Sequence, residues 1–248
     1  MKLSLAEPRL LIDSIGVISD IVNDVKFTIT SEGMNLLAMD PANVAMVIFN
    51  LLSSAFTEYK VEKTYHLAVN LEHLKAILRR ARPADVLTMA LDEEKNRLKI
   101  QLTSDGVRTF HLALIDIEDK DQRVPSLEFP VKVEMNSTVL EEAIHDMDVV
   151  AESVALVAHQ GKFTVEAESN LNDAKTEIAS DSDTKIHGAA KEVRSKYSIE
   201  YMKKIIKGGK LASRVSLQFN KDYPLRVDYL LKDKLSFTVI LAPRVSND

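Results

Sequence analysis

Apolar residues recur at the spacing of an amphipathic helix in four stretches of the chain. In such a helix the residues at i, i+3, i+4 and i+7 share one face, which packs against a core. Asn70, Ser137 and Ser198 stand directly before three of these stretches, where N-cap residues are preferred. The predicted helices, with their apolar markers, are 10–22 (Leu11, Ile15, Ile18, Val22), 71–82 (Leu71, Leu74, Leu78, Ala81), 138–150 (Leu140, Ile144, Met147) and 199–210 (Ile199, Met202, Ile206).

Other segments alternate between apolar and polar residues, or are apolar throughout, as β-strands do. Residues 44–49 form an uninterrupted apolar run, which predicts a buried strand. Three pairs of alternating segments are separated by short turn sequences and predict antiparallel hairpins. These pairs are 27–29 with 34–36, 87–91 with 98–102, and 215–219 with 225–229.

The second half of the chain repeats the pattern of the first at an offset of 128 or 129 residues. Between the halves lies a charged segment that contains Pro125 and Pro130, and proline cannot join a central sheet ladder. A tandem duplication is the economical interpretation. We therefore predict an α+β fold of two similar domains, each with a sheet and two helices. The predicted ranges are 1–116 for the first domain, 117–130 for a connector and 131–248 for the second domain.

The second predicted helix of each half carries a row of cations, four against one glutamate in both cases. A solvated helix face usually explains one such row. Two rows in register, in a chain of net charge −5, instead favour a surface for a polyanion. Only Tyr201 is interleaved with these cations, which favours a duplex backbone over single strands. The cations that match at an offset of 128 residues are Lys75, Arg79 and Arg82 with Lys203, Lys207 and Lys210.

The composition narrows the class of protein. With 46% hydrophobic and 28% charged residues, the 248-residue chain is typical of a folded globular protein. It has no cysteine, which excludes disulfides, thiolate metal sites and cysteine nucleophiles. No apolar run reaches the roughly 18 residues of a membrane span, and the first residues lack the apolar core of a signal peptide. We therefore expect an intracellular protein.

Several short motifs are distinctive when taken together. The sharpest are residues 33–40 (GMNLLAMD), 43–47 (NVAMV) and 241–245 (LAPRV). Residues 223–227 (YPLRV) and the connector around Pro125 add to them. In this combination, and over its whole length, the chain resembles the proliferating cell nuclear antigen family, the DNA polymerase sliding clamps of archaea and eukaryotes.

The resemblance implies the DNA clamp fold and a closed ring of three subunits around duplex DNA, without sequence readout. Such a ring is a processivity factor in replication and repair. It tethers DNA polymerase, flap endonuclease and DNA ligase through short peptide motifs, and a clamp loader places it on DNA. The resemblance maps the hole-lining cations to Lys75, Arg79, Arg80, Arg82, Lys203, Lys204, Lys207 and Lys210. It maps the partner-peptide groove to Met39, Val44, Met46, Val124, Pro125, Pro224, Ile240, Ala242, Pro243 and Arg244.

Ring closure is expected at sheet edges, because an exposed edge strand invites pairing with another chain. Two predicted strands, 107–115 and 173–179, are the candidates. Joining these unlike edges head to tail gives a heterologous interface, which closes when the rotation fits. The predicted interface residues are Val107, Thr109, Phe110, Leu112, Lys175, Glu177 and Ala179.

The chain departs from the family pattern in places. The first helix of the family usually carries lysines toward DNA, whereas the nearest positions here are Ile12, Asp13 and Ser19. Gln122 replaces an apolar connector residue, and Ile240 replaces an aromatic residue near the C-terminus. The missing cations keep open a specialised subunit of a mixed three-subunit ring as an alternative to a homotrimer.

Signals for catalysis are weak. The six histidines include no i, i+4 pair for a helical metal site, and no phosphate-binding loop or nucleophile elbow is present. We therefore expect no enzyme activity, metal or cofactor. A less favoured alternative is a phosphoryl-transfer enzyme that uses Asp40. The expected location is the nucleoid-containing cytoplasm in an archaeal cell and the nucleus in a eukaryotic one.

Overall fold

The computed structural model describes residues 1–118, 122–188 and 190–244. Their contacts group them into two compact units. The first unit comprises the described residues of 1–41, 47–122 and 231–237, and the second those of 42–46, 123–230 and 238–248. None of the described helices has the length and apolarity needed to cross a membrane.

Strands dominate the first half of the chain, and two short helices interrupt them. The elements are β1 (Lys2–Leu5), α1 (Arg9–Ser19), β2 (Asp24–Ile29), β3 (Gly33–Met39), β4 (Ala45–Leu52), a 3₁₀ turn (Ser53–Ala55), β5 (Glu58–Lys60), β6 (Tyr65–Asn70), α2 (Leu71–Leu78), β7 (Val86–Asp92), β8 (Arg97–Thr103) and β9 (Val107–Ala113).

The first unit contains an antiparallel sheet in the order β5-β1-β7-β8-β9, and strands β6, β2 and β3 are neighbours in that order in another sheet. Helices α1 and α2 pack against each other. Their apolar faces are buried, with Leu11, Ile18, Leu71 and Leu78 at most 1% exposed. Burial of these side chains stabilises the helices far more than intrinsic propensity does in segments this short.

The second half of the chain repeats this arrangement. Its elements are β10 (Val131–Asn136), α3 (Ser137–Asp148), β11 (Ser153–His159), β12 (Lys162–Glu168), β13 (Asp173–Ala179), β14 (Lys185–His187), β15 (Val193–Ser198), α4 (Ile199–Ile205), a 3₁₀ segment (Ile206–Lys210), β16 (Arg214–Phe219), β17 (Leu225–Leu231) and β18 (Leu235–Leu241).

In the second unit, one antiparallel sheet has the order β13-β12-β11-β15, and β14, β10, β16 and β17 are neighbours in another. Equivalent elements begin at a constant offset: α2 and α4, for example, start at Leu71 and Ile199, 128 residues apart. The same offset relates β9 to β18. The described elements confirm the α+β fold and its internal repeat.

All four predicted helices run past their observed ends: α1 ends at Ser19 rather than at residue 22 and α3 ends at Asp148 rather than at residue 150, and the difference is larger for the other two. Helix α2 ends at Leu78 rather than at residue 82, and Ala81 is only half-buried. Helix α4 ends at Ile205, and the rest of the predicted stretch is a 3₁₀ segment. In both cases the sequence pattern continues past the point where backbone bonding changes, which periodicity alone does not register.

Of the three predicted N-cap residues, one makes a side-chain cap bond, one is an N-cap without such a bond, and one is not the N-cap. Asn70 is the N-cap of α2, and its side chain accepts a hydrogen bond from the His73 amide at 3.1 Å. Ser198 is the N-cap of α4 without a side-chain cap bond. The N-cap of α3 is Asn136, not Ser137, whose hydroxyl instead donates to the Ser213 carbonyl at 3.1 Å.

The predicted connector, 117–130, contains no helix or strand among its described residues. The predicted domain boundaries around it stay a prediction. The edge strand expected over 107–115 ends at Ala113, and the strand expected over 173–179 has those bounds.

Candidate functional site

The turn after α2 presents three arginines. Arg79, Arg80 and Arg82 are exposed, and they follow the last helical residue, Leu78. The Arg82 amide donates to the Asp85 carboxylate at 2.5 Å, and Asp85 is fully buried. These three cations are therefore displayed by a hydrogen-bonded turn and not by the helical stripe that their spacing predicts.

A second contact holds this turn from the neighbouring strand. Arg108 of β9 donates to the Arg80 carbonyl at 2.9 Å and forms an ion pair with Asp85. The Arg82 amide, and then Arg108, hold the pKa of Asp85 below its usual range. A carboxylate that stays ionised at neutral pH thus fixes the backbone that carries the exposed arginines.

Lys75 is placed differently from the arginines. Its side chain is only 12% exposed, and its Nζ lies 3.4 Å from both Asp20 Oδ1 and Glu72 Oε1. Asp20 follows the end of α1, so this is an ion pair between two packed helices. The prediction treated Lys75 as an open cation, whereas the structure pairs it with two carboxylates.

The second unit has a matching basic region on α4 and the following 3₁₀ segment. Lys203 Nζ lies 2.6 Å from Asp148 Oδ2. Lys204 lies 3.0 Å from Glu200 and its Nζ is 5.0 Å from the centroid of the Tyr201 ring. An open depression of about 760 Å³ runs along α4, and Lys203, Lys204 and Lys207 contribute to its lining.

The eight predicted DNA-contacting cations fall into two groups. The half-buried, ion-paired group is Lys75, Lys203 and Lys204. The exposed group is Arg79, Arg80, Arg82, Lys207 and Lys210.

The predicted partner groove has one residue in the first unit. Met39, at the end of β3, lines an open depression of about 590 Å³. Ile117, Glu118 and Gln122 of the connector line the same depression. Within this unit, these three connector residues therefore lie near Met39.

In the second unit, one backbone hydrogen bond joins two predicted groove residues, and a ring contact lies next in sequence to a third. The Ala242 amide donates to the Val44 carbonyl at 2.9 Å. Phe129, at the end of the connector, packs edge-on against Tyr223, beside Pro224, with ring centroids 5.9 Å apart. Val124 is 46% exposed.

Parts of the groove prediction need correction. Met46 and Ile240 are only 6% and 7% exposed, so they serve mainly as core residues and offer little surface to a peptide. A peptide that bound here as an added β-strand would need free backbone donors. The Arg244 amide donates to the Lys196 carbonyl at 2.7 Å and the Ala242 amide donates to the Val44 carbonyl, so neither donor is available. Val245 lies outside the described residues.

Two edge strands stand at the positions predicted for ring closure. β9 is the last strand of the five-stranded sheet, and β13 is the last strand of the four-stranded sheet. Alternate side chains are exposed along both strands. Their repeat equivalents, β18 and β4, are mostly buried. β9 and β13 are thus exposed edge strands whose repeat equivalents are covered.

The predicted interface residues differ in where their backbone N–H and C=O groups point: toward the neighbouring strand of their own sheet, or outward from its edge. The Leu114 amide donates to the Asn96 carbonyl at 3.1 Å, toward the β8 side. Because successive residues in an antiparallel strand point their backbone groups to opposite sides, Phe110 and Leu112 also face β8, whereas Thr109 faces outward. By the same alternation from the bond of the Ser180 amide to the Gly161 carbonyl, Glu177 faces outward from β13.

Two of the predicted interface residues have no outward backbone group. Leu112 is 6% exposed and, like Phe110, uses its backbone within its own sheet. The predicted residues whose backbone groups point outward are Val107, Thr109, Lys175, Glu177 and Ala179.

Asp40, the residue considered for phosphoryl transfer, is only 4% exposed. Over the described ranges, no group of three or more His, Asp or Glu side chains could hold a metal ion.

The ion-pair partners of Lys75 and Lys203 were not predicted from the sequence. Asp20 and Asp148 stand 128 residues apart, as do Lys75 and Lys203. The shared offset was a usable signal, because repeat-equivalent residues occupy equivalent places in the two units. Asp85 gave no such signal, since a lone aspartate in a turn is ordinary.

Residues 1–122 match the model of the N-terminal domain of proliferating cell nuclear antigen, and residues 123–244 match that of its C-terminal domain. A DNA polymerase sliding clamp from Thermococcus gammatolerans is 35% identical over 94% of each chain. DNA polymerase sliding clamp 1 from Thermococcus kodakarensis is 32% identical over 94% of each chain. The crystal structure of a proliferating cell nuclear antigen from Thermococcus kodakaraensis superposes with a TM-score of 0.91 at 26% identity, covering 98% of this chain and 99% of that one.

The internal repeat of the described elements and these matches both extend over nearly the whole chain. The chain belongs to the proliferating cell nuclear antigen family and is a DNA sliding clamp.

Proposed function

We propose that three copies of the chain close into a ring around duplex DNA, with α2, α4 and the residues that directly follow each of these helices lining the hole. The observation that carries this proposal is the pair of repeat-equivalent basic segments in a chain of net charge −5. Cations concentrated on equivalent elements can neutralise the phosphates of a DNA backbone. A ring closed around the duplex does not need to recognise individual bases.

Ring closure joins the outward backbone groups of β9 on one copy to those of β13 on the next. The two edges differ, so the contact is heterologous and generates a closed ring when the rotation fits. Main-chain hydrogen bonds form the contact, and Thr109 and Glu177 lie at the centres of the two edges. Identical copies suffice for this arrangement.

Partner enzymes dock through short peptides beside the connector, next to Met39 in the first unit and next to Val44, Val124 and Ala242 in the second. Such tethering raises the effective concentration of DNA polymerase, flap endonuclease, DNA ligase and the clamp loader at DNA. This scaffold role needs no catalytic group, metal or cofactor of its own. In an archaeal cell the ring works at the nucleoid, in the cytoplasm.

The test of the DNA-facing surface uses the exposed cations. We expect Arg79→Ala/Arg82→Ala/Lys207→Ala/Lys210→Ala to weaken binding to a labelled duplex of any sequence, measured by anisotropy over a salt series. The slope of log K against log salt should become shallower by about 0.9 for each phosphate that the variant no longer neutralises.

A matched control removes the same charge from exposed turns of the chain, as Lys95→Ala/Lys221→Ala/Lys232→Ala/Lys234→Ala. The control should bind almost as the parent does. Equally weakened binding in the two quadruple variants would mean that net charge alone governs binding, and would reject the proposed hole-lining surface.

A further inference from the structure

Lys75 and Lys203 are each paired with a carboxylate at the end of the preceding helix. Lys75 Nζ lies 3.4 Å from Asp20, and Lys203 Nζ lies 2.6 Å from Asp148. Both aspartates and both lysines are related by the 128-residue offset. The same ion pair is thus built twice, at the junction of α1 with α2 and of α3 with α4.

These pairs sit within the basic segments that the proposed function assigns to DNA. A lysine that faces a carboxylate can bind a phosphate only by giving up or sharing that partner. The carboxylate also repels an approaching phosphate, and at these distances the repulsion is screened only in part by salt. Each aspartate therefore opposes the contact that its lysine would otherwise make.

We propose that Asp20 and Asp148 are internal counterions that compete with DNA phosphates for Lys75 and Lys203 and so weaken the grip of the clamp on duplex DNA. This inference rests on the proposed function, because it concerns the same basic segments. Its consequence is a ring held on DNA by topology, with phosphate contacts weak enough for sliding.

The two ion pairs should not weaken DNA binding equally. The Lys203 side chain is 43% exposed and Asp148 is 36% exposed, so the released amine can reach solvent and phosphate. The Lys75 side chain is 12% exposed and keeps Glu72 at 3.4 Å when Asp20 is neutralised. In the second unit, the equivalent glutamate, Glu200, pairs with Lys204 instead. Asp148 is therefore the stronger regulator.

The experiment measures duplex binding of the full chain by fluorescence anisotropy over a salt series. We expect Asp148→Asn to raise affinity about two- to five-fold at low salt and to steepen the salt slope by up to about 0.9. Asp20→Asn should raise affinity less than about two-fold. A purely structural ion pair would lower the melting temperature and leave DNA affinity unchanged, so melting is recorded for each variant.

A double-mutant cycle identifies the lysine through which Asp148 acts. In a Lys203→Ala background, Asp148→Asn should give a clearly smaller gain in affinity, because only the direct repulsion of phosphate is then relieved. Glu142→Gln is the matched control, since it removes one exposed negative charge from the same helix without a partner lysine on α4 among the ion pairs described. It should leave affinity close to that of the parent.

The outcomes separate this inference from the function on which it rests. An unchanged affinity for Asp148→Asn, an equal gain in the Lys203→Ala background, or an equal gain in Glu142→Gln would each overturn the counterion role. The quadruple arginine and lysine variant tests the DNA surface itself. If that variant loses binding while Asp148→Asn gains nothing, the proposed function stands and the counterion role alone fails.

Discussion

The guanidinium of Arg108 lies against the fully buried carboxylate of Asp85, and this ion pair joins edge strand β9 to the turn that carries Arg79, Arg80 and Arg82. Arg108 also donates to the Arg80 carbonyl at 2.9 Å. The strand proposed for ring closure and the arginines proposed for DNA contact are therefore fixed to one another within the first unit.

Asp85→Asn is expected to lower the melting temperature at neutral pH, because it removes the charge that holds Arg108 and the turn. The folded-state pKa of Asp85 is depressed, so its stabilising contribution is present above the unfolded pKa of about 3.9 and is lost as pH falls below it. The difference in melting temperature between parent and variant should therefore narrow below about pH 4. Asp105→Asn, in an exposed turn, is the control, and a difference that does not change with pH would contradict the role given to this carboxylate.

The ring should open when an outward main-chain donor is removed from either edge. We expect Thr109→Pro and Glu177→Pro to shift the protein from trimer to monomer in sedimentation velocity, because proline cannot donate to the ladder between subunits. Leu112→Pro is a different variant. It removes a donor that faces β8, and its first effect should be a lower melting temperature.

Controls for the edge variants keep the amide and change only the side chain. Thr109→Val and Glu177→Gln should remain trimeric. Trimers that persist in both proline variants would place the subunit contact on another surface.

Partner-peptide binding should depend on the exposed apolar residue of the connector. We expect Val124→Asp to abolish calorimetric binding of a polymerase-tail peptide with one aliphatic and one aromatic anchor, because burying an unpaired carboxylate is costly. The parent should bind with roughly micromolar affinity, since a short peptide buries little area before association costs.

Leu171→Asp is the matched control for this test, as it places the same charge on a leucine that is 92% exposed at a hairpin tip. Ile240→Asp is unsuitable, because Ile240 is 7% exposed and the substitution should unfold part of the core. Full affinity in a folded, trimeric Val124→Asp protein would move the partner site away from the connector.

Alanine substitutions at two glycines should have opposite effects on stability, because an added Cβ would be crowded at one position and not at the other. A Cβ on Gly208, between Lys207 and Lys210 in the 3₁₀ segment, would lie 2.4 Å from the Tyr229 ring. Gly208→Ala should therefore destabilise the protein by roughly 1–3 kcal/mol. Gly16 of α1 has open space around it, and Gly16→Ala should stabilise by roughly 1 kcal/mol. Thermal and urea unfolding measure both, and a neutral Gly208→Ala would show that Tyr229 can move aside.

Local patterns in the sequence predict the presence of the helices, most of the strands and the repeat. Those features depend on local periodicity and on matches at a fixed offset, which are visible without coordinates. Asn70 as a cap was predictable for the same reason, because an N-cap is a local pattern. The motifs also identified the family, because short segments from distant parts of the chain agreed.

Which of the predicted residues are available to a partner depends on how the chain packs. Lys75 looked like an open cation until packing of α1 on α2 brought Asp20, 55 residues away, within 3.4 Å of it. Ile240 and Met46 looked like groove surface but are buried, and Leu112 directs its backbone into its own sheet. Exposure and pairing depend on contacts between residues far apart in sequence, and local periodicity carries no information about those contacts.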